Sequence, residues 1–348
     1  MEIKKSIFGK IDGKIVELFT VANKHGNSVA FINYGATWVS AVVPEKSGVK
    51  EDVVLGYNSL EGYLSDTAYM GATIGRFANR IENATFEVDG KKYKIDSDNE
   101  SYALHGGKEG FSHRVWDSRE EDDGVSFSLI SPDGDQGFPG TVSVKVRYRW
   151  DDDNNLRIEF TAETDKATPI SLANHAYFNL NGTGSILNQQ LAIYADNFLP
   201  MKEGCIVTGE IAPVQNTPFN FRDFKAIGKD ISQENGQLRM GNGYDQSFLI
   251  KKQDDGILDL IAEVFEPESG ILMQMRSSYP TVHLYSANFL SSKFPGKKGK
   301  KYSKREAFCL EAQYSPNAPN ILGFPSSILR PGKQYNHAIE FHFSVLNN

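Results

Sequence analysis

The chain has 348 residues, 40% of them hydrophobic, 23% charged and 11% aromatic, with 22 Phe, 15 Tyr and 31 Gly. This composition supports a sizeable core and leans toward strands and tight turns rather than helices. The formal net charge of −7, from 44 acidic and 37 basic residues, argues against a nucleic-acid binder, and two cysteines exclude a disulfide framework or a four-cysteine metal site. No apolar run approaches the ~18 residues of a membrane helix and no long apolar stretch follows the N-terminus, so no membrane segment and a cytoplasmic location are expected.

In chain order, Ser59 stands where it would cap a short helix over Leu60 to Leu64. Phe86-Glu87-Val88 and Tyr93-Lys94-Ile95 flank Asp89-Gly90, a strong hairpin signal. Val125, Phe127 and Leu129 alternate with polar residues, and Val142, Val144, Val146, Tyr148 and Trp150 do the same over a longer span. That period of two marks strands with one buried face. The polar run Asp151 to Asn155 makes a turn into a further strand through Leu156, Ile158 and Phe160. Ser232 to Met240 has room for a turn or two of helix, and Ile339, Phe341, Phe343 and Val345 alternate at the end. No long amphipathic helices alternate with strands, and no linker interrupts the pattern. The expected fold is all-β, a single domain over 1–348 built as one large antiparallel sandwich with few short helices.

Familiar chemistry is missing. There is no dinucleotide fingerprint, no phosphate-binding loop, no Gly-x-Ser-x-Gly elbow and no His-x-x-x-His pair, so neither a cofactor nor a metal is expected. The basic cluster Lys297, Lys298, Lys300, Lys301, Lys304 and Arg305 reads as a solvated loop. Four stretches carry polar groups that a β-core pattern does not call for. Gly75-Arg76-Phe77-Ala78-Asn79-Arg80-Ile81 is either a structural turn or a clamp for hydroxyl or carboxylate oxygens. In Leu104-His105-Gly106-Gly107 the histidine is either incidental or presented by a tight glycine backbone. His175, between Asn174 and Tyr177 in an apolar strand-like run, is a hydrogen-bonded core residue or an acid. Glu311 shares a strand face with Cys309 and Gln313, and burying it is costly without a partner or a task.

These stretches, with Asn174-His175-Ala176-Tyr177-Phe178-Asn179-Leu180, Tyr244-Asp245 and Leu310-Glu311-Ala312-Gln313, resemble the aldose 1-epimerase (galactose mutarotase) family. Lesser matches at Asn33-Tyr34-Gly35-Ala36-Thr37, Thr217-Pro218-Phe219-Asn220-Phe221-Arg222 and Leu329-Arg330-Pro331-Gly332 extend the likeness over nearly the whole chain. The resemblance implies a single-domain β-supersandwich of the galactose mutarotase type, acting without cofactor on a free aldose, as a monomer or homodimer. It implies His175 as general acid and Glu311 as general base, with Asn79, Arg80, His105 and Asp245 binding sugar and Tyr177 and Phe178 lining the pocket. Two positions depart from the family pattern. Gln246 stands where His often follows Asp, and His283, taken as a further sugar-binding residue, stands where Gln is common. The rival readings are a non-catalytic carbohydrate-binding module, an epimerase of hexose 6-phosphates, and a glycoside-cleaving or lyase enzyme on a similar fold.

Overall fold

A computed structural model describes residues 1–251 and 258–346. Three large antiparallel sheets organise it. The central sheet has nine strands, in the spatial order Asp117–Glu121, Gly124–Ser131, Val142–Trp150, Asn155–Thr164, Tyr335–Val345, Ile271–Ser277, Asp259–Phe265, Gln190–Ile193 and Lys225–Ala226. The period-two runs read from the sequence form its middle. Val142–Trp150 buries every second residue, and the Asp151 carboxylate accepts the N–H groups of Asp153 (2.9 Å) and Asn155 (2.8 Å) to close the turn into the next strand. The C-terminal strand inserts between Asn155–Thr164 and Ile271–Ser277, so the last element of the chain is interior to the sheet.

A five-stranded N-terminal sheet, from Glu2–Ile11 to Lys50–Asp52, packs over the central sheet. Aromatic pairs tie the two together: Phe31 stacks on Tyr148 with centroids 4.3 Å apart, Phe19 meets Phe127 edge-on at 5.9 Å, and Trp38 meets Phe341 at 5.4 Å. Each such pair contributes about 0.5–1.5 kcal/mol beyond the area it buries. The third sheet orders Ala212–Pro213, Asn197–Leu199, Asp245–Leu249, Thr281–Tyr285 and Cys309–Gln313. Its apolar face, with Phe248, Val282, Leu284, Leu310 and Ala312, joins the main core. Its other face carries a polar row across three strands, Ser247 opposite His283 opposite Glu311.

The hairpin forms as expected, Thr85–Val88 against Lys91–Lys94, with Asp89 and Gly90 both at positive φ (52° and 76°) as that turn requires. Leu60–Leu64 is helical, but the Ser59 side chain makes no capping bond to the backbone. The second helix is confined to Gly236–Gly241, and Asn235 caps it by accepting the N–H groups of Gln237 and Leu238. The basic loop is not wholly solvated: Lys297 folds inward and donates to the carbonyl of Val39 (2.8 Å) while pairing with Asp52.

Candidate active site

The polar face of the third sheet forms one wall of a cavity of ≈ 270 Å³, at the small end for small-molecule sites. Asn79, Arg80, His105, His175, Tyr177, Asp245, His283 and Glu311 all line it. Eight of the nine site residues read from the sequence therefore converge. Phe178 does not. Its ring is fully buried and packs against Trp38 and Phe341 in the main core. Neighbours on extended backbone point to opposite sides, so Tyr177 facing the cavity sends Phe178 inward.

His175 follows the short strand Ala173–Asn174. Its N–H donates to Ala72 O (2.9 Å) and its carbonyl accepts the N–H of Gly71 (2.9 Å), which fixes the backbone on both sides. The imidazole stacks on Tyr177 with centroids 5.2 Å apart and lies parallel to Tyr69 at 6.1 Å. Its Nε2 is 3.7 Å from Glu311 Oε1. Glu311 is 2% exposed, and its Oε2 has no hydrogen-bond partner within the protein. A buried carboxylate oxygen left open toward a cavity is suited to accept from a bound ligand.

Asn79 and His105 hold each other. The Asn79 N–H donates to His105 Nδ1 at 3.2 Å, and the His105 N–H donates to Asn79 O at 3.1 Å. Both residues lie in the left-handed region, at φ 68° and 50°. The glycines that follow are required there: a Cβ on Gly106 would lie 2.0 Å from Gly75 O. Burial, with His175 and Arg80 nearby, pushes the His105 pKa well below the ordinary value. Because Nδ1 accepts the Asn79 N–H, the neutral ring carries its proton on Nε2, a fixed donor.

This tautomer also decides a question about metals. The ligating atoms of His105, His175 and Glu311 lie within 4.8 Å of one another, the composition of a two-histidine, one-carboxylate site. Yet one lone pair of His105 is taken by the Asn79 N–H and the other nitrogen bears hydrogen. The trio does not suit a metal ion.

Asp245 anchors the opposite side. Its Oδ1 meets His283 Nε2 at 2.8 Å, and its Oδ2 lies 3.8 Å from the Arg80 guanidinium. Burial opposes the charge, but the His283 bond and Arg80 outweigh it and hold the carboxyl below its ordinary range. His283 Nδ1 meets Ser247 Oγ at 2.8 Å, so both ring nitrogens are engaged. His283 thus holds Asp245 in place and has no free nitrogen to offer a sugar. Gln246 points away from the cavity and bonds the N–H of Asp245 and the carbonyl of Gln237. Arg76 is structural as well. It is buried and donates to the carbonyls of Ser131, Pro132, Pro139 and Gly140 and to the hydroxyls of Ser131 and Thr168.

Sequence reasoning missed Asp66, Tyr69, Tyr285 and Phe289, all lining the cavity. Asp66 accepts the Tyr57 hydroxyl (3.0 Å) and the Met70 N–H (2.8 Å), shaping the turn that lays Tyr69 beside both histidines. That segment follows a short helix and has no periodicity, so only its Asp-x-x-Tyr composition hinted at a role.

The model of the aldose 1-epimerase family matches residues 17–342. The chain is 40% identical over 347 residues to galactose mutarotase from Homo sapiens, covering 99% of each chain. It is 36% identical over 336 residues to aldose 1-epimerase from Escherichia coli, covering 95% of this chain and 96% of that one. Among solved structures, an aldose epimerase homologue from C. elegans superposes with a TM-score of 0.87 at 35% identity, covering 94% of this chain and 98% of the other. Galactose 1-epimerase from Lactobacillus acidophilus gives a TM-score of 0.87 at 26% identity, covering 99% of each.

Proposed function

Because the chain belongs to the aldose 1-epimerase family, we propose that it interconverts the α and β anomers of free aldohexoses such as galactose and glucose, with Glu311 as base and His175 as acid. The observation that carries this assignment is the 3.7 Å approach of His175 Nε2 to Glu311 Oε1 at the wall of a small cavity. The C1 hydroxyl and the ring oxygen are bonded to the same carbon. An acid and a base serving both must converge, as these two do.

Ring opening starts when the Glu311 carboxylate takes the proton of the C1 hydroxyl. The O–H electrons form the C1=O1 bond, the C1–O5 bond breaks, and O5 takes a proton from His175 Nε2. The result is the open-chain aldehyde. A half-turn about C1–C2 presents the other carbonyl face. O5 then attacks C1 and returns its proton to His175, while Glu311 returns its proton to O1. Atoms and charge balance without a cofactor. General acid–base help of ~10²–10⁴ is adequate for a reaction that already runs slowly in water. The sugar must be held away from C1, and Asp245, Arg80 and Asn79 suit that task. The Nε2–H of His105 supplies a neutral donor beside the acid.

The test is polarimetry of freshly dissolved α-D-galactose and α-D-glucose, with wild type and His175→Asn. The wild type is expected to accelerate the decay of rotation and the variant to lose at least about a hundredfold in kcat. A variant as active as the wild type would remove His175 from the mechanism.

A further inference from the structure

We propose that the buried thiol of Cys309 is a positioning residue that holds His175 in the tautomer bearing hydrogen on Nδ1, leaving Nε2 as the atom that exchanges protons. The inference rests on His175 being the acid. Cys309 lies two residues before Glu311 on the same strand face, fully buried, with Sγ 3.6 Å from His175 Nδ1. The two nitrogens of the imidazole therefore face different residues of one strand: Nδ1 meets Cys309 and Nε2 meets Glu311.

The reaction fixes which tautomer works. In opening, the imidazolium gives up the Nε2 proton and becomes neutral with hydrogen on Nδ1. In closing, Nε2 must present a lone pair to O5–H. A neutral ring with hydrogen on Nε2 cannot do so. The partner at Nδ1 must accept a hydrogen bond in both charge states, and sulfur can. Burial pushes the thiol pKa well up, so the group stays neutral. A neutral thiol is a weak acceptor. A carboxylate there would also hold the Nδ1 hydrogen, but would bind the imidazolium so well that it gave up its proton reluctantly.

The experiment is ¹⁵N NMR of histidine-labelled protein, together with kinetics of Cys309→Ala and Cys309→Ser. In the wild type at high pH, neutral His175 is expected to carry hydrogen on Nδ1, with a pyridine-like Nε2 signal. In C309A the two nitrogen signals should converge and kcat should fall about tenfold with KM within about twofold, the low end of the ~10–100-fold loss typical when an orienting partner is removed. In C309S, whose hydroxyl also accepts, the tautomer should persist and kcat should return to within about threefold of wild type. Neutral wild-type His175 with hydrogen on Nε2, or C309A with unchanged kcat, overturns the inference. The wild-type spectrum needs no variant to fold and no turnover. A failure of the acid assignment would appear instead as activity surviving in H175N.

Discussion

Replacing Glu311 by Gln tests the base with the least disturbance. The side chain keeps its size, and a residue 2% exposed in the last strand of the third sheet keeps its packing. What is lost is an acceptor for the C1 proton, worth ~10²–10⁴ in rate. The counter-charge 3.7 Å from His175 Nε2 is lost too. At an effective dielectric near 20 that attraction is on the order of 4 kcal/mol before desolvation is subtracted. The two losses overlap, since both act when the proton pair moves. The expected fall in kcat is therefore about 10³–10⁴, or roughly 4–5.5 kcal/mol at 1.36 kcal/mol per tenfold. KM should change by no more than about threefold, because the amide still hydrogen-bonds the C1 hydroxyl. The assay is the decay of optical rotation of α-D-galactose, corrected for the spontaneous rate, with a urea midpoint confirming equal stability. E311Q retaining more than about a tenth of wild-type kcat would refute the reasoning. The double variant H175N/E311Q should be scarcely worse than the poorer single one, as for residues that act as a unit.

Asp245→Asn should raise KM about tenfold with kcat within about threefold, since the carboxylate is assigned to binding and not to proton transfer; equal KM values would remove it from the sugar site. Arg76→Lys should destabilise the fold by about 2–4 kcal/mol in urea unfolding, because an ammonium cannot span the four carbonyls and two hydroxyls that the guanidinium bonds; an unchanged midpoint would contradict that. His105 has a folded pKa well below its unfolded value near ~6.5, so below that pH the unfolded chain binds the extra proton and stability is lost as pH falls. His113 is lowered too, by burial. His105→Gln should therefore lessen the slope of stability between pH 5 and 6.5 by up to about 1.4 kcal/mol per unit while leaving part of it, and parallel curves for variant and wild type would rule out a buried neutral His105.

Strands were legible because a half-buried sheet writes its period directly into the chain, as in Val142–Trp150. For the proposed acid–base pair, the residues alone left His175 open between a core residue and an acid and marked Glu311 only as costly to bury. It was the family resemblance that joined the two, which the structure places 3.7 Å apart at one cavity wall. The alternation of neighbours on extended chain would have separated Tyr177 from Phe178, whose ring lies in the main core. Other features were beyond it. Which partners engage His283 depends on the register that sets Asp245–Leu249 against Thr281–Tyr285, and so brings Asp245 and Ser247 to its two ring nitrogens. The capture of Lys297 by Asp52 and the Asp66 turn beneath Tyr69 are likewise contacts that no local pattern encodes.

The interior place of the C-terminal strand has a consequence for how the molecule is made. At the ~5–20 residues per second of synthesis, Asn155–Thr164 emerges roughly ten to forty seconds before Tyr335–Val345 does. Throughout that interval its hydrogen-bonding edge is bare, the situation that invites pairing with a neighbouring nascent chain. Its outward row contains Arg157 and Glu159, which in the finished molecule join Arg147, Arg149 and Glu340 in an ion-pair ladder. Charges beside an unpaired edge disfavour such pairing, so replacing Arg157 and Glu159 with apolar residues is expected to lower the soluble yield in the cell.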